Sequence, residues 1–480
     1  MRRMSIAAVA AVSTVAFAQI ASAADMPTKA PIVRAPATVA ANWTGFYVNG
    51  GIGYGMWAAD TTTQNPLTGL CRLCANQEQG GKGWLGVIGI GYDYHFAPSW
   101  LVGVFGDYNF SSLKGSIQDQ DPFWAGDIRQ TSAWAVGGRL GYLVTPDFLG
   151  YVNVGYTNAH FSGANMYGTF TGAGTAFNTP SATTGGWFIG IGTESAMPSF
   201  LGLQLGPNWF WRNEYRYASY PNKTLSDTND VISANGINFK PAVQTISTEV
   251  VYKFNSGGPK YQVAPALAPA NWSGVYVNGG VGYGMWAADT TTQNPNTGVC
   301  VLCANQEQGG KGWLGMIGIG YDYQFMPKIV AGVFTDFDFS SLKGSIQDQG
   351  PYFAGEIKQT SAWAVGLRAG WLITPQILSY WNGGYTNARF SSASMVTTFA
   401  GAATTFGTSS FNDNGWFLGG GFEVAVASGW FVRTDYRYAT YSRKTLSDTN
   451  GAGGVDNSIT LKPAVQTVTT QAVYRFNWWR

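Results

Sequence analysis

Apolar residues alternate with polar or small residues along most of this chain. In the segment 83–96, Trp84, Ile88 and Ile90 lie at even positions, and Asp93 and His95 lie at odd positions. A period of two predicts a β-strand with one apolar and one polar face. Eight such segments precede residue 255, at roughly 44–57, 83–96, 100–111, 128–144, 149–161, 186–197, 203–219 and 241–254.

The lengths of these segments and of their connections favour a membrane barrel over a soluble sandwich. Each segment has 12 or more residues, whereas strands of soluble sheets usually have about five or six. Aromatic residues at segment ends, Trp84 with Phe96 and Trp209 with Tyr217, fit a lipid-facing girdle. The connections alternate between long polar stretches (58–82, 112–127, 162–185 and 220–240) and tight turns (97–99 and 145–147). The sequence therefore predicts an all-β fold, a transmembrane antiparallel up-and-down β-barrel.

The chain repeats itself once. Thr145-Pro146 recurs as Thr374-Pro375 at an offset of 229 residues, and Arg212 matches Arg433 at an offset of 221, so the second copy lacks eight residues (229 − 221 = 8). A period above 200 residues indicates two whole domains rather than a solenoid. We predict two tandem eight-stranded barrels, with one sixteen-stranded barrel as the alternative. The Pro-rich segment between the copies favours two barrels, because one larger barrel needs only a short turn there.

The ends and the linker complete the predicted division of the chain. Arg2 and Arg3, an apolar stretch, and Ala21-Ser22-Ala23 form the pattern of a cleaved secretory signal peptide. No other continuous apolar run is long enough for a transmembrane helix. The division is a signal peptide at 1–23, a Pro/Ala-rich leader at 24–42, a first barrel at 43–254, a Pro-rich linker at 255–271 and a second barrel at 272–480.

Composition narrows the function classes. Charged residues make up 11% of the chain, the formal net charge is +2, and no run of Lys or Arg occurs, which argues against a nucleic-acid binder. Aromatic residues reach 15% and glycines number 64, values that suit two-faced strands in a membrane.

The predicted inner faces carry charges of both signs. Eight strands leave an interior that side chains just fill, so charges inside must pair. We expect a lumen closed by Arg–carboxylate pairs; a polar pore lining is the alternative. Lys253 and Arg475 share these faces. The predicted lumen network comprises Asp93, Asp107, Arg139, Glu194, Arg212, Glu214, Arg216 and Glu249 in the first copy, and Asp322, Asp336, Arg368, Glu423, Arg433, Asp435 and Arg437 in the second.

Three motifs carry a family resemblance. The opening Asn-Trp-Thr-Gly-Phe-Tyr at 42–47, the strand Arg-x-Glu-Tyr-Arg-Tyr at 212–217 and the ending Val-Tyr-Lys-Phe at 251–254 resemble the porin-like surface-antigen branch of OmpA-type outer-membrane β-barrels. The resemblance covers nearly all of both copies. It implies eight strands, an assembly signal in the last strand and a mainly structural or surface role. This chain departs from the family in having two copies and in ending Trp478-Trp479-Arg480.

Cysteines and histidines are the remaining candidates for chemistry. Each copy has a Cys-x-x-Cys in its first long connection, Cys71/Cys74 and Cys300/Cys303, which predicts a loop disulfide in an exported protein; free thiols and a metal site are alternatives. His95 is replaced by Gln324 and His160 by Arg389 in the second copy. No histidine-based catalytic or metal site can therefore occur in both copies.

The sequence predicts a structural outer-membrane surface protein, with a passive diffusion porin for small solutes as the alternative. Haem or ligand binding by external loops is a weaker hypothesis. We expect no catalytic residue, no metal and no cofactor. The expected partners are outer-membrane lipid, lipopolysaccharide, the barrel-assembly machinery and small solutes, but no nucleic acid, and the expected location is the bacterial outer membrane.

Overall fold

A computed structural model describes residues 43–65, 67–119, 124–169, 173–197, 199–200, 203–206, 208–226, 235–254, 269–348, 353–398, 401–450 and 454–476. The predicted signal peptide 1–23, the leader 24–42, most of the linker 255–271 and the chain end 477–480 lie outside the described residues. Within the described ranges, no helix has the length and apolar character needed to cross a bilayer.

The first half of the chain forms a closed ring of eight antiparallel strands. Each strand pairs with the next, and the eighth returns to pair with the first over Tyr47–Gln64. The ring strands are β1 (Gly45–Gln64), β2 (Cys71–Ala97), β3 (Trp100–Asp119), β4 (Trp124–Thr145), β5 (Phe148–Phe161), β8 (Ala182–Ala196), β11 (Trp209–Ser219) and β13 (Gly236–Lys253).

The second half forms a second closed ring of eight strands, in which the last strand pairs with the first. The strand pairing thus describes two eight-stranded barrels and not one ring of sixteen strands. Its ring strands are β14 (Gly274–Gln293), β15 (Cys300–Met326), β16 (Ile329–Asp348), β17 (Phe353–Thr374), β18 (Ile377–Phe390), β21 (Phe411–Ala427), β22 (Trp430–Tyr441) and β24 (Val455–Arg475).

Short strands extend the connections between ring strands. At the end with the long connections, here called the loop end, they are β6 (Ala164–Gly168), β7 (Gly174–Thr179), β12 (Lys223–Ser226), β19 (Ala393–Thr397), β20 (Ala403–Thr408) and β23 (Lys444–Asn450). At the opposite end, here called the turn end, β9 (Ser199–Phe200) and β10 (Leu203–Gln204) form a small hairpin.

Two boundary predictions are wrong. The stretches 58–82 and 112–127 are mostly strand rather than polar loop, since β1, β2, β3 and β4 continue well beyond the predicted ends. The seventh ring strand begins at Trp209 rather than at residue 203, because Leu203–Gln204 pairs with Ser199–Phe200 instead. The strands β1–β4 and β14–β17 are therefore longer than a bilayer requires, and each barrel projects past its aromatic girdle at the loop end.

The alternation seen in the sequence corresponds to the two faces of the barrel wall. On β2, Trp84 is 68% exposed and Ile90 is 65% exposed, whereas Asp93 is fully buried. The outer face around Trp84 and Ile90 is thus apolar and open to lipid, and Asp93 points into the barrel.

Candidate functional site

The lumen of the first barrel contains a lower charged cluster near the turn end. The guanidinium of Arg139 binds Asp93 through two nitrogens and Glu194 through a third, at 3.0 Å. Arg212 donates to the same Glu194 oxygen at 2.8 Å. Lys253 completes the cluster, with its ammonium 2.6 Å from Asp93 and 2.9 Å from Glu194. Each buried carboxylate therefore contacts two or three cations, which offsets its desolvation.

An upper charged cluster lies between this one and the loop end. Arg216 makes a bidentate contact with Asp107 at 3.0 and 2.7 Å and a second contact with Glu214 at 2.7 Å. Tyr151 donates its hydroxyl hydrogen to Glu214 at 2.8 Å. Glu249 lies beside the lower cluster, 3.6 Å from Arg212, and accepts a hydrogen bond from Asn49.

The second barrel repeats this arrangement. Arg368 contacts Asp322 and Glu423, and Arg433 contacts Glu423 at 2.7 Å. Arg475 replaces Lys253 and lies 2.8 Å from Asp322 and 2.9 Å from Glu423. In the upper cluster, three further residues come together: Arg437 binds Asp336 at 2.8 Å and Asp435 at 3.4 Å.

The structure thus brings all fifteen residues of the predicted lumen network into the two lumens. We call the lower and upper clusters together the charged layer.

One acid changes position between the barrels. Glu249 corresponds to Gln471, which pairs with the same glycine position of the first strand. Conversely, Asn109 corresponds to Asp338, which lies on the inner face beside Asp336. Each lumen therefore keeps five acids and four bases, and only one acid lies at a different position.

Apolar layers close the lumen on both sides of the charged layer. The loop-end layer packs around Trp57, whose indole nitrogen donates to the Leu113 carbonyl at 3.0 Å. A Cβ at Gly81 or Gly115 would collide with Trp57, so these glycines provide its space. The loop-end layer of the first barrel comprises Trp57, Leu113, Ile117, Ile128, Phe161 and Phe239. The turn-end layer comprises Trp43, Tyr47, Leu101, Leu143, Leu149, Phe210 and Val251.

Little free space remains between the charged side chains of either lumen. Among the charged side chains of each lumen the cavity measures about 10 Å³, room for about one water molecule.

The loop-end layer is missing from the sequence prediction, because that prediction assigns residues 58–82 and 112–127 to loops. The signal was available, since Leu113 and Ile117 keep the period of two and share a parity.

The two barrels meet along a junction at their loop ends. The pairing between β2 and β3 stops at Gly81 with Gly115, although both strands continue. Beyond that point Gln79 pairs with Gln308 of β15. Backbone amides also cross over, since Cys74 donates to the Thr398 carbonyl at 2.8 Å and Cys303 donates to the Thr169 carbonyl at 2.9 Å.

Ion pairs cross this junction. Lys82 contacts Glu307, and Lys311 contacts Glu78. These groups lie on the loop side of Trp84 and Trp313, outside the lipid-facing girdle. Burial raises the pKa of the Glu78 carboxyl to about 7, since its desolvation outweighs the attraction of the Lys311 ammonium. Burial likewise raises the pKa of Glu307 to about 7 against the attraction of Lys82.

Aromatic side chains continue the junction toward the turn end. Tyr54 contacts Tyr438 edge-on, with ring centroids 5.3 Å apart, and Tyr217 contacts Tyr283 in the same way. The prediction that Tyr217 belongs to a lipid-facing girdle is therefore wrong: its side chain is 8% exposed and is covered by the other barrel.

The remaining candidates lie away from the lumen clusters or at their edge. Cys71 is disulfide-bonded to Cys74 and Cys300 to Cys303, at the start of β2 and β15 rather than within a loop. His95 is buried on the inner face, and its Nε2 lies 3.3 Å from the Pro98 carbonyl. His160 lies on β5, with its Nδ1 2.9 Å from the Thr183 hydroxyl.

Comparison with known protein families also identifies a β-barrel domain in each half of the chain. The family described as "Outer membrane protein beta-barrel domain" matches residues 6–254 and 263–476. The 31 kDa outer-membrane immunogenic proteins of Brucella melitensis biotype 1 and Brucella suis biovar 1 are each 28% identical over 221 residues, which cover 44% of this chain and 88% of the relative.

Similarity to solved structures is low. A mutant of the monoaromatic hydrocarbon channel TodX is 9% identical with a TM-score of 0.27, over 92% of this chain and 93% of that one. Neisserial surface protein A is 17% identical with a TM-score of 0.23, over 44% of this chain and 98% of that one. Ail of Yersinia pestis is 15% identical with a TM-score of 0.21, over 42% and 99%.

Proposed function

The chain belongs to the outer membrane protein β-barrel domain family, and on this basis we propose that it is a structural component of the bacterial outer membrane rather than a pore. The observation that carries the proposal is the closure of each lumen, with a charged layer between two apolar layers. A solute crossing the first barrel would have to displace Trp57 and separate Arg139 and Arg216 from their carboxylate partners. Both steps are costly, because buried charges lose their partners and packed aromatics lose their contacts.

We propose further that the chain is a tandem duplication of an OmpA-type barrel. The signal peptide 1–23 would be cleaved on export, and the linker 255–271 would join two complete barrels. Support comes from the internal repeat and from the separate closing strands β13 and β24. The lack of any histidine common to both copies supports a non-enzymatic role.

The proposed partners are outer-leaflet lipid, including lipopolysaccharide, and the barrel-assembly machinery. Lys343 and Lys358 lie directly opposite each other on the outer face, beyond Trp363, and Arg389 lies on the adjoining strand. Like charges directly opposite are unfavourable, and the single carboxylate of Glu356 contacts both lysines. Phosphate groups of outer-leaflet lipid would offset the remaining positive charge.

Planar-bilayer conductance tests the closed-lumen proposal against the alternative of a diffusion porin for small solutes. Refolded protein whose β-structure is verified in the same membrane should give no openings, or only small and rare ones. Stable openings of porin size would overturn the proposal and favour the porin. A double variant that removes two of the three cations of the lower charged cluster, Arg139→Ala with Arg212→Ala, shows whether conductance follows loss of the ion pairs.

A further inference from the structure

The junction between the barrels is self-complementary. Polar contacts from the first barrel to the second have counterparts in the opposite direction: the Glu78 amide donates to Ser345 at 2.8 Å, and the Glu307 amide donates to Ser116 at 2.8 Å. The contacting residues are identical in the two copies, namely Gln77 and Gln306, Glu78 and Glu307, Gln79 and Gln308, Lys82 and Lys311, Ser116 and Ser345, and Gln118 and Gln347.

Equivalent residues meet each other across a pseudo-two-fold axis. At the loop end, Gln118 and Gln347 exchange side-chain amide hydrogen bonds at 2.5 Å. At the turn end, Phe148 and Ile377, which also occupy equivalent positions, lie in one buried cluster with Val424. The axis therefore runs from the loop end to the turn end, as it must when two barrels lie side by side in one membrane with the same orientation.

Neither barrel completes its loop end without the other. Beyond Gly81 and Gly115, the ends of β2 and β3 no longer pair together, and their amides and side chains bind the other barrel instead. Strand edges left without such a partner readily pair with another chain. A barrel deprived of its neighbour therefore exposes a surface that fits an identical surface.

We propose that this junction is a recognition surface for a second copy of the same barrel. The polar contacts do not distinguish a pair of first barrels from a first barrel with a second barrel, because the residues are the same. The linker gives the intramolecular partner a high effective concentration, so that it is bound first. When that partner is blocked or absent, the barrel of another chain takes its place. This inference concerns partner choice and does not depend on whether the lumens conduct.

A charge swap in the full-length chain tests the proposal at pH 8, where all four junction groups are charged. In the variant E78K/K82E, the exchanged charges of the first barrel oppose Lys311 and Glu307 of the same chain. Between the first barrels of two chains, however, the exchanged groups complement each other. We expect the detergent-corrected mass in analytical ultracentrifugation to double relative to the wild-type monomer. The matched control E78K/K82E/E307K/K311E restores both intramolecular pairs and should remain a monomer.

A second measurement covers the outcome in which E78K/K82E does not fold. A protease site placed in the linker 255–268 of the Gln118→Cys variant allows the folded chain to be cut, diluted and concentrated again. Oxidation should then link first barrels to each other through the new cysteine. A monomeric but folded E78K/K82E variant, or no such link after cutting, overturns the proposal.

Discussion

Lys253 in the first barrel and Arg475 in the second lie at the same register position, opposite Tyr47 and Tyr276 of the opening strands. Each cation joins an aspartate to a glutamate across its lumen. Both come from the closing strand of the ring. Neutralisation of the lower charged cluster is therefore complete only when the barrel has closed.

Because the second barrel has Arg475 where the first has Lys253, the structure predicts which substitutions position 253 tolerates. Lys253→Arg should fold with nearly wild-type stability, because Arg475 already occupies the equivalent site. Lys253→Met leaves Asp93 and Glu194 with fewer cations and should destabilise the first barrel by about 3–5 kcal/mol. Chemical unfolding of the refolded variants measures the difference, and equal stability of the two variants would contradict it.

Arg212→Ala should likewise destabilise the first barrel by about 3–5 kcal/mol, since Glu194 and Glu249 lose a buried partner. Arg129→Ala is the matched control, because Arg129 is exposed on the outer face. Thermal unfolding of both variants provides the comparison. An unchanged transition for Arg212→Ala would count against a packed lumen.

A substitution in the loop-end layer should lower the stability of the barrel without making it conduct. Trp57→Ala should cost about 3–5 kcal/mol, because the indole is fully buried and its removal leaves a cavity. Conductance should stay absent, because the charged layer still closes the lumen. Trp84→Ala, which changes an exposed lipid-facing indole, is the control and should have a much smaller effect on unfolding. Channel openings in Trp57→Ala alone would show that the apolar layer is the only barrier.

The junction should weaken as pH rises. The pKa of Glu78 and of Glu307 is about 7 in the folded chain against an ordinary value of 4.5. A raised carboxyl pKa gives a contribution to stability that is complete below about pH 4.5 and is lost as pH rises through about 7. Thermal stability should therefore fall between pH 5 and pH 8, and the variant E78Q/E307Q should show a flatter profile. If the thermal stability of the wild type and of E78Q/E307Q fell equally with pH, the carboxyls of Glu78 and Glu307 would not be the cause of the pH dependence.

Both cysteine pairs should be oxidised in protein from intact cells. Alkylation without reductant, followed by mass spectrometry, should label none of Cys71, Cys74, Cys300 or Cys303. The same treatment after reduction should label all four and provides the control. Four labelled thiols before reduction would contradict the disulfides.

The sequence predicts which side chains face into and out of the barrel better than it predicts what covers the outer face. Alternation places Trp84 outside and Asp93 inside because side-chain direction is a local property of a strand. It also places Tyr217 outside, but it cannot show that the other barrel covers this part of the outer face. Gln79 and Gln118 carry no signal of a junction, because their partners lie more than 180 residues away.

The loop-end layer also has an electrical consequence. An ion entering it would leave water for a medium of aromatic and aliphatic side chains, at an idealised cost on the order of 20 kcal/mol. The proposed closed lumens would therefore make each barrel an insulator that spans the bilayer. A cell could accumulate many copies of this protein without adding a leak for salts or protons.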